Sequence, residues 1–88
     1  MSEETALRDQ IRQVVAEHAR LSVPVGKLGD DSDLFRAGMT SHASVNLMLA
    51  LEEVFEIEFP ESMLRKSTFG SISTIEVALS ELLRSVPA

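Results

Sequence analysis

Between Ala43 and Leu51 only Ser44 and Asn46 are polar, so a helix over this stretch carries an apolar stripe wider than one packed face needs. The chain has 88 residues, room for one domain and one modest core. Such a helix must therefore be central and the most buried, with a few apolar residues left over for a partner. Its expected span is Ser41–Phe55, closed by Glu52, Glu53 and Glu56. Everything else in the chain has to pack around it.

Helical period dominates on both sides. Over residues 3–21, Leu7, Ile11, Val14, Val15 and His18 fall on one face. Glu3 and Glu4 lie in the first turn, where acids complement the helix dipole. His18 reads as a half-buried packing residue. Pro24 and Gly26 end the regularity. Downstream, Pro60 suits the first position of a short helix over 60–65, and residues 67–70 form a break. Ser71 or Ser73 can cap a last helix, and Ser73 with Glu76 has capping-box spacing. Ile72, Ile75, Leu79, Leu82, Leu83 and Val86 form its core face, and Pro87 stops it. Residues 56–59 alternate too briefly to make a strand, and no repeat is present. The expected architecture is all-α: three main helices and one short helix, in a single domain over residues 1–88.

The stretch 22–40 reads as a long ordered loop, a length that usually signals function. Val23, Val25, Leu28, Leu34, Phe35 and Met39 are expected to tie it to the core. Its acids Asp30, Asp31 and Asp33 raise the question of calcium. A calcium loop starting at Asp33 puts Gly38 at the required sixth position. It also puts Phe35 and Ala37 at ligand positions and Ser44 at the twelfth, where a carboxylate is needed. The register fails, and no metal site is assigned.

Charge narrows the function. The net charge is -6, with 8 basic residues scattered among 14 acidic ones, which excludes a phosphate-neutralising nucleic-acid surface and disfavours an anionic membrane. An acidic surface suits basic protein partners. Without cysteine there is no disulfide, thiolate metal site or Cys nucleophile. Residues 1–7 lack the features of a signal peptide, and no apolar run approaches a membrane span. A cytoplasmic monomer is the expectation.

The chemistry concentrates in Asp33-Leu34-Phe35-Arg36-Ala37-Gly38-Met39-Thr40-Ser41-His42. Ser41 falls at the first turn of the central helix, where unpaired N–H groups and the helix dipole favour a phosphate. Gly38 allows a sharp turn or a close approach by a modifying enzyme. Spacing alone leaves a second reading open, in which Ser41 or Thr40 is simply the N-cap. Ser41 and His42 do not make a nucleophile and base. Helix neighbours point about 100° apart and do not face each other, and the nucleophile-elbow motif is absent. His42 is either partner-facing or plainly exposed.

This segment resembles the attachment motif of acyl carrier proteins at Asp33, Leu34, Phe35, Gly38 and Ser41. The likeness continues through Val45, Met48, Leu51, Glu52, Glu53 and Phe55 to Pro60, then Thr68-Phe69, Ile72 and Ile75. It implies an acyl-carrier-protein-like four-helix bundle that is not an enzyme. It also implies a 4′-phosphopantetheine arm, taken from coenzyme A, on Ser41, holding an acyl or aminoacyl group as a thioester. Thr40, His42, Asn46, Val54, Arg65 and Lys66 depart from the family pattern and reduce the negative charge of its docking surface. The runs 38–45 and 48–52 are similar to a narrower group, the stand-alone aminoacyl carrier proteins loaded by ligases related to seryl-tRNA synthetases, so aminoacyl cargo is favoured. The implied partners are a phosphopantetheinyl transferase, an amino acid or acyl carrier-protein ligase, and downstream transferring enzymes. The residues expected to meet them are Thr40, His42, Val45, Asn46, Leu49, Glu52, Glu53 and Arg65. The alternative is a helical protein-interaction module whose Ser41 stays unmodified.

Overall fold

Three α-helices form in the expected order: α1 (Glu3–His18), α2 (Ser41–Phe55) and α3 (Ile72–Ser85). The structure is a computed structural model that describes residues 3–85, with the side chains of residues 6–84. Val86 and Pro87, expected to finish and stop α3, lie outside the described residues. No strand occurs among those described. α1 packs against both α2 and α3. The fully buried centre is Ile11, Val15, Leu34, Leu47, Leu51, Ile72, Ile75 and Leu79, drawn from all three helices and the long loop.

Helix α1 stops three residues before the expected Leu21. The Ala19 amide still reaches the Val15 carbonyl at 2.9 Å, but Arg20 takes a left-handed φ of 54°, which ends the helical path. Ala19 is completely buried there. His18 is not the half-buried packing residue expected; its side chain is 42% exposed and 3.8 Å from Glu17.

Helix α2 keeps its expected bounds but is not the most buried element. It sinks only Ala43, Leu47 and Leu51, one residue per turn on a single stripe. Val45, Leu49 and Val54 remain 50%, 52% and 53% exposed. The apolar excess in the sequence therefore faces outward.

The long loop is ordered by polar clamps as well as by apolar anchors. It contains one 3-10 turn, Val25–Lys27. Arg12 on α1 donates to the carbonyls of Val25 and Leu28 at 3.0 and 2.9 Å and to Asp30 Oδ1 at 2.7 Å. Arg8 bridges Asp30 at 3.1 Å and Glu76 on α3 at 2.9 Å. The Ser73 amide donates to the Asp30 carbonyl, and Ser73 Oγ donates to Asp31 Oδ1 at 2.6 Å. The Arg12 hydrogen bond, aided by the charges of Arg8 and Arg12 and opposed by burial, holds the Asp30 carboxyl below its ordinary range. Leu34 and Met39 are buried anchors, whereas Val23 is 40% exposed and anchors nothing.

The expected short helix over 60–65 is replaced by two 3-10 turns. Pro60 stays extended, Glu61–Met63 makes one turn with i→i−3 bonds, and Leu64 leaves helical geometry at ψ 63°. A second turn, Lys66–Phe69, occupies most of the expected break. Phe69 meets Phe59 edge-to-face with ring centroids 5.2 Å apart, a packing contact that fixes this segment without an α-helix. Ser71, not Ser73, caps α3: the Thr74 amide donates to Ser71 Oγ, and the Ser71 amide donates to Thr74 Oγ1. Ser73 and Glu76 form no capping box because each is bound elsewhere, to Asp31 and Arg8.

Candidate functional site

The site begins with a turn that only glycine fits. Gly38 has φ +115°, and a Cβ there would lie 2.5 Å from Ser22 Oγ and 2.9 Å from the Ser22 amide nitrogen. The reason for Gly38 is thus an internal close approach. It lets the Ser22 amide donate to the Ala37 carbonyl at 2.8 Å, bringing the start of the loop to its end. Upstream, Asp33 Oδ1 accepts from the Phe35 and Arg36 amides at 2.9 and 3.4 Å, and the Leu34 amide donates to the Gly70 carbonyl at 2.8 Å. The motif residues Asp33, Leu34 and Gly38 therefore act as a frame that presents the start of α2.

At that start the N-cap question resolves in favour of Thr40. Its extended backbone and its Oγ1, which accepts from the Ala43 amide at 3.0 Å, make it the cap. Ser41 is the first helical residue, exposed, and its hydroxyl makes no hydrogen bond among the described residues. Ser44 turns its hydroxyl back onto the Ser41 carbonyl at 2.7 Å, so it does not compete for the same position. The first-turn amides of α2 have no helical acceptor of their own. A phosphoryl group on Ser41 Oγ would sit beside them, with the positive end of the helix dipole.

Beside Ser41 lies an open groove of about 240 Å³ between α2 and the 64–69 segment. Ser41, Ser44, Val45 and Met48 form one wall, and Leu64, Arg65, Lys66, Phe35 and Phe69 form the other. Lys66 Nζ stands 4.8 Å above the Phe35 ring. Phe35, Met48, Leu64 and Lys66 were not among the expected site residues. The signal for Lys66 was present, since Arg65-Lys66 is an adjacent basic pair in an acidic chain.

The expected partner residues divide into three groups. His42, Val45, Asn46, Leu49 and Glu53 are all exposed, at i, i+3, i+4, i+7 and i+11 on one face of α2. Arg65 is exposed across the groove. Thr40 and Glu52 are committed internally. The Glu52 carboxylate accepts from the Phe59 amide at 2.9 Å, and the Glu52 carbonyl accepts from the Glu56 and Ile57 amides. This residue ties the end of α2 to the following loop and is not a freely solvated acid.

The three acids of the loop are likewise used by the chain itself: Asp30 by Arg8 and Arg12, Asp31 by Ser73, and Asp33 by two amides. No group of metal-ligating side chains occurs among the described residues. No helix among them is long and apolar enough to cross a membrane.

Comparison with known proteins agrees with this geometry. The family model described as "Phosphopantetheine attachment site" matches residues 9–75. An aminoacyl carrier protein of Agrobacterium fabrum is 44% identical over 73 residues, covering 83% of this chain and 88% of that protein. Among solved structures, one similar chain is the carrier protein from Agrobacterium tumefaciens in a complex with an engineered Bradyrhizobium japonicum glycine:[carrier protein] ligase and ATP. It has a TM-score of 0.84 and 41% identity, covering 86% of this chain and 99% of that one. Another is the cognate carrier of the Bradyrhizobium japonicum ligase, bound with an analogue of glycyl adenylate. There the TM-score is 0.75 and the identity 25%, covering 86% and 97%. A frame that presents a helix-start serine, a family model spanning that frame, and relatives named as carriers lead to one conclusion: this chain belongs to the phosphopantetheine-attachment family, and is a carrier protein whose group is covalent 4′-phosphopantetheine and not an enzyme.

Proposed function

We propose that Ser41 is the attachment residue and that this chain, as a single carrier domain, presents an amino acid to partner enzymes. The observation that carries the assignment is the division of labour at the start of α2. Thr40 caps the helix, and the adjacent Ser41 hydroxyl is left exposed and unengaged. When bound, the arm supplies a terminal thiol that holds the cargo as a thioester. The chain's own residues do the rest. The first-turn amides of α2 offset phosphodiester charge, and the frame of Asp33, Leu34 and Gly38 holds Ser41 at an accessible corner.

The outer face formed by His42, Val45, Asn46, Leu49 and Glu53, with Arg65 across the groove, is the docking surface. Thr40 and Glu52 contribute to docking by holding the ends of α2 in place. The partners are a phosphopantetheinyl transferase, an amino acid:carrier protein ligase, and enzymes that take the aminoacyl group onward. The carrier works as a cytoplasmic monomer. The ligase assignment is supported by the similar chains bound to glycine:carrier protein ligases.

Intact mass after incubation with coenzyme A and a broad-specificity phosphopantetheinyl transferase tests the proposal. One added phosphopantetheinyl group is expected on the native chain and on Ser44→Ala, and none on Ser41→Ala. Incubating the modified chain with ATP, glycine and a glycine:carrier protein ligase should then add one glycyl group. A folded native chain that no transferase modifies would instead identify an unmodified helical interaction module.

A further inference from the structure

The basic residues of this acidic chain are unevenly placed. Arg8 and Arg12 are engaged with Asp30 and Glu76 inside the fold. Arg36 and Lys66 instead meet at an open cleft of about 680 Å³ between the 33–36 turn and the 66–74 stretch. Phe35 and Lys66 separate this cleft from the groove at Ser41 and line both. We propose that the Arg36–Lys66 cleft receives a carboxylate side chain of the enzyme that loads the arm, and so sets the orientation in which the carrier docks. The proposal rests on Ser41 as the attachment residue and on loading by an amino acid:carrier protein ligase.

Neither Arg36 nor Lys66 forms an ion pair among the described residues, although the chain has 14 acidic residues to 8 basic ones. The Phe35 ring, 4.8 Å from Lys66 Nζ, holds that long side chain at the cleft. Ser67 adds an exposed hydroxyl with no hydrogen bond among the described residues. Thr74 is committed to the Thr68 and Ser71 carbonyls. Asp33 also lines the cleft, but its Oδ1 accepts from the Phe35 and Arg36 amides, which offset its charge. The cleft therefore offers two uncommitted side-chain cations and a hydroxyl donor.

Exposure decides what kind of anion fits. Arg36, Lys66 and Ser67 are all exposed, and an exposed pair with a small free anion is weak. An anion carried by a macromolecule that already covers the site is presented at high effective concentration. Because the cleft shares a wall with the groove at Ser41, an enzyme that takes the arm into its active site also covers the cleft. A net charge of -6 excludes nucleic acid, which leaves a protein carboxylate. The other end of α2, about 20 Å away along the helix, has the opposite sign, with Glu53, Glu56 and Glu58 exposed. A partner with an acid beside the arm's entry and bases farther out fits this carrier in one direction. The reversed pose sets like charges against each other.

The experiment measures loading of the arm-bearing chain, verified by intact mass, by a glycine:carrier protein ligase with ATP and glycine. Arg36→Glu/Lys66→Glu should raise KM for the carrier about tenfold, with kcat changed less than about twofold. Arg20→Glu/Lys27→Glu makes the same change of net charge at exposed residues that line neither the cleft nor the groove, and should change KM less than about twofold. Arg36→Gln/Lys66→Gln should flatten the rise in KM that added salt produces in the native chain. Circular dichroism checks that each variant is folded. An unchanged KM in Arg36→Glu/Lys66→Glu overturns the proposal. So does an equal rise in Arg20→Glu/Lys27→Glu, which marks a response to total charge alone. A lowered KM overturns it too, by marking a basic partner surface at the cleft. All three leave the carrier reading intact, since the arm is still attached and loaded. A native chain that takes the arm but is loaded by no such ligase removes the aminoacyl reading, and the proposal with it.

Discussion

Replacing Gly38 with alanine measures how tightly the loop holds the start of α2. The backbone at φ +115° lies where L-residues are strained, at a cost of about 1–3 kcal/mol. The added methyl would also sit 2.9 Å from the Ser22 nitrogen. Relieving that clash displaces the N–H···O bond from Ser22 to Ala37, worth about 1 kcal/mol. Against this, alanine reduces the freedom of the unfolded chain and returns about 0.4–1 kcal/mol. The net expectation is a loss of about 2–3 kcal/mol. For a domain of this size that lowers the melting temperature by about 10–20 °C. Urea unfolding followed by circular dichroism reads the loss directly. Combining Gly38→Ala with Ser22→Ala removes the 2.5 Å contact with Ser22 Oγ but leaves the backbone nitrogen and the strained φ. Rescue should therefore be partial, less than half the loss. A Gly38→Ala protein within about 0.5 kcal/mol of the native chain would refute the reasoning. Full rescue by Ser22→Ala would show that side-chain crowding, not the backbone, makes the glycine necessary.

Four further outcomes are expected. Thr40→Val should cost about 1 kcal/mol of stability and Thr40→Ser almost nothing, measured by urea unfolding, while Ser41 still accepts the arm in both. Glu52→Ala should destabilise by about 1–3 kcal/mol, because the Phe59 amide loses a charged acceptor. Glu53→Lys should leave stability within about 0.5 kcal/mol yet slow loading by the cognate ligase in a steady-state assay. Asp30 has its carboxyl pKa lowered by Arg12, so its contribution to stability is complete above the ordinary carboxylate range. That contribution is lost as pH falls through the lowered folded value; in Asp30→Asn that part of the acid dependence of urea unfolding should vanish.

What could be read from the sequence follows the range of the interactions. The bounds of α2 were legible because its ends are local: Thr40 caps Ala43 three residues away, and the Glu56 amide closes onto the Glu52 carbonyl four residues back. The frame that presents the start of α2 was legible because Asp33, Leu34 and Gly38, which build it, are close in sequence. The end of α1 was not, because Arg20 takes the left-handed turn without a glycine to announce it. The 60–65 segment misled for a similar reason. Pro60 correctly signalled a start, but α and 3-10 continuation differ by small changes in ψ, and the distant Phe59–Phe69 contact decides between them. Sequence reading gave Arg12 no role, placed Glu52 among the partner-meeting residues and placed Lys66 on the docking surface. Their partners lie 13 to 18, 7 and 31 residues away, so no local pattern identifies them.

The distribution of these contacts explains why α2 keeps so much apolar surface. A carrier with its arm on Ser41, as proposed, has to hold that serine at a fixed corner while offering α2 to a partner. If packing α2 into the bundle consumed its whole apolar stripe, nothing would remain to be recognised. If α2 were held only by that packing, partner binding would compete with folding. The chain separates the two tasks. Ala43, Leu47 and Leu51 are committed to the core, and the ends of α2 are fixed by Thr40, by Glu52 on the Phe59 amide, and by the loop pinned through Arg12 and Gly38. Polar bonds at the ends thus replace part of the burial that a helix of this composition would otherwise use. Val45, Leu49 and Val54 are left exposed, and exposed apolar surface of this kind suits partner contact. It follows that substitutions on the outer stripe should change recognition without changing stability, and substitutions at the two ends should lower stability and affect recognition only through it.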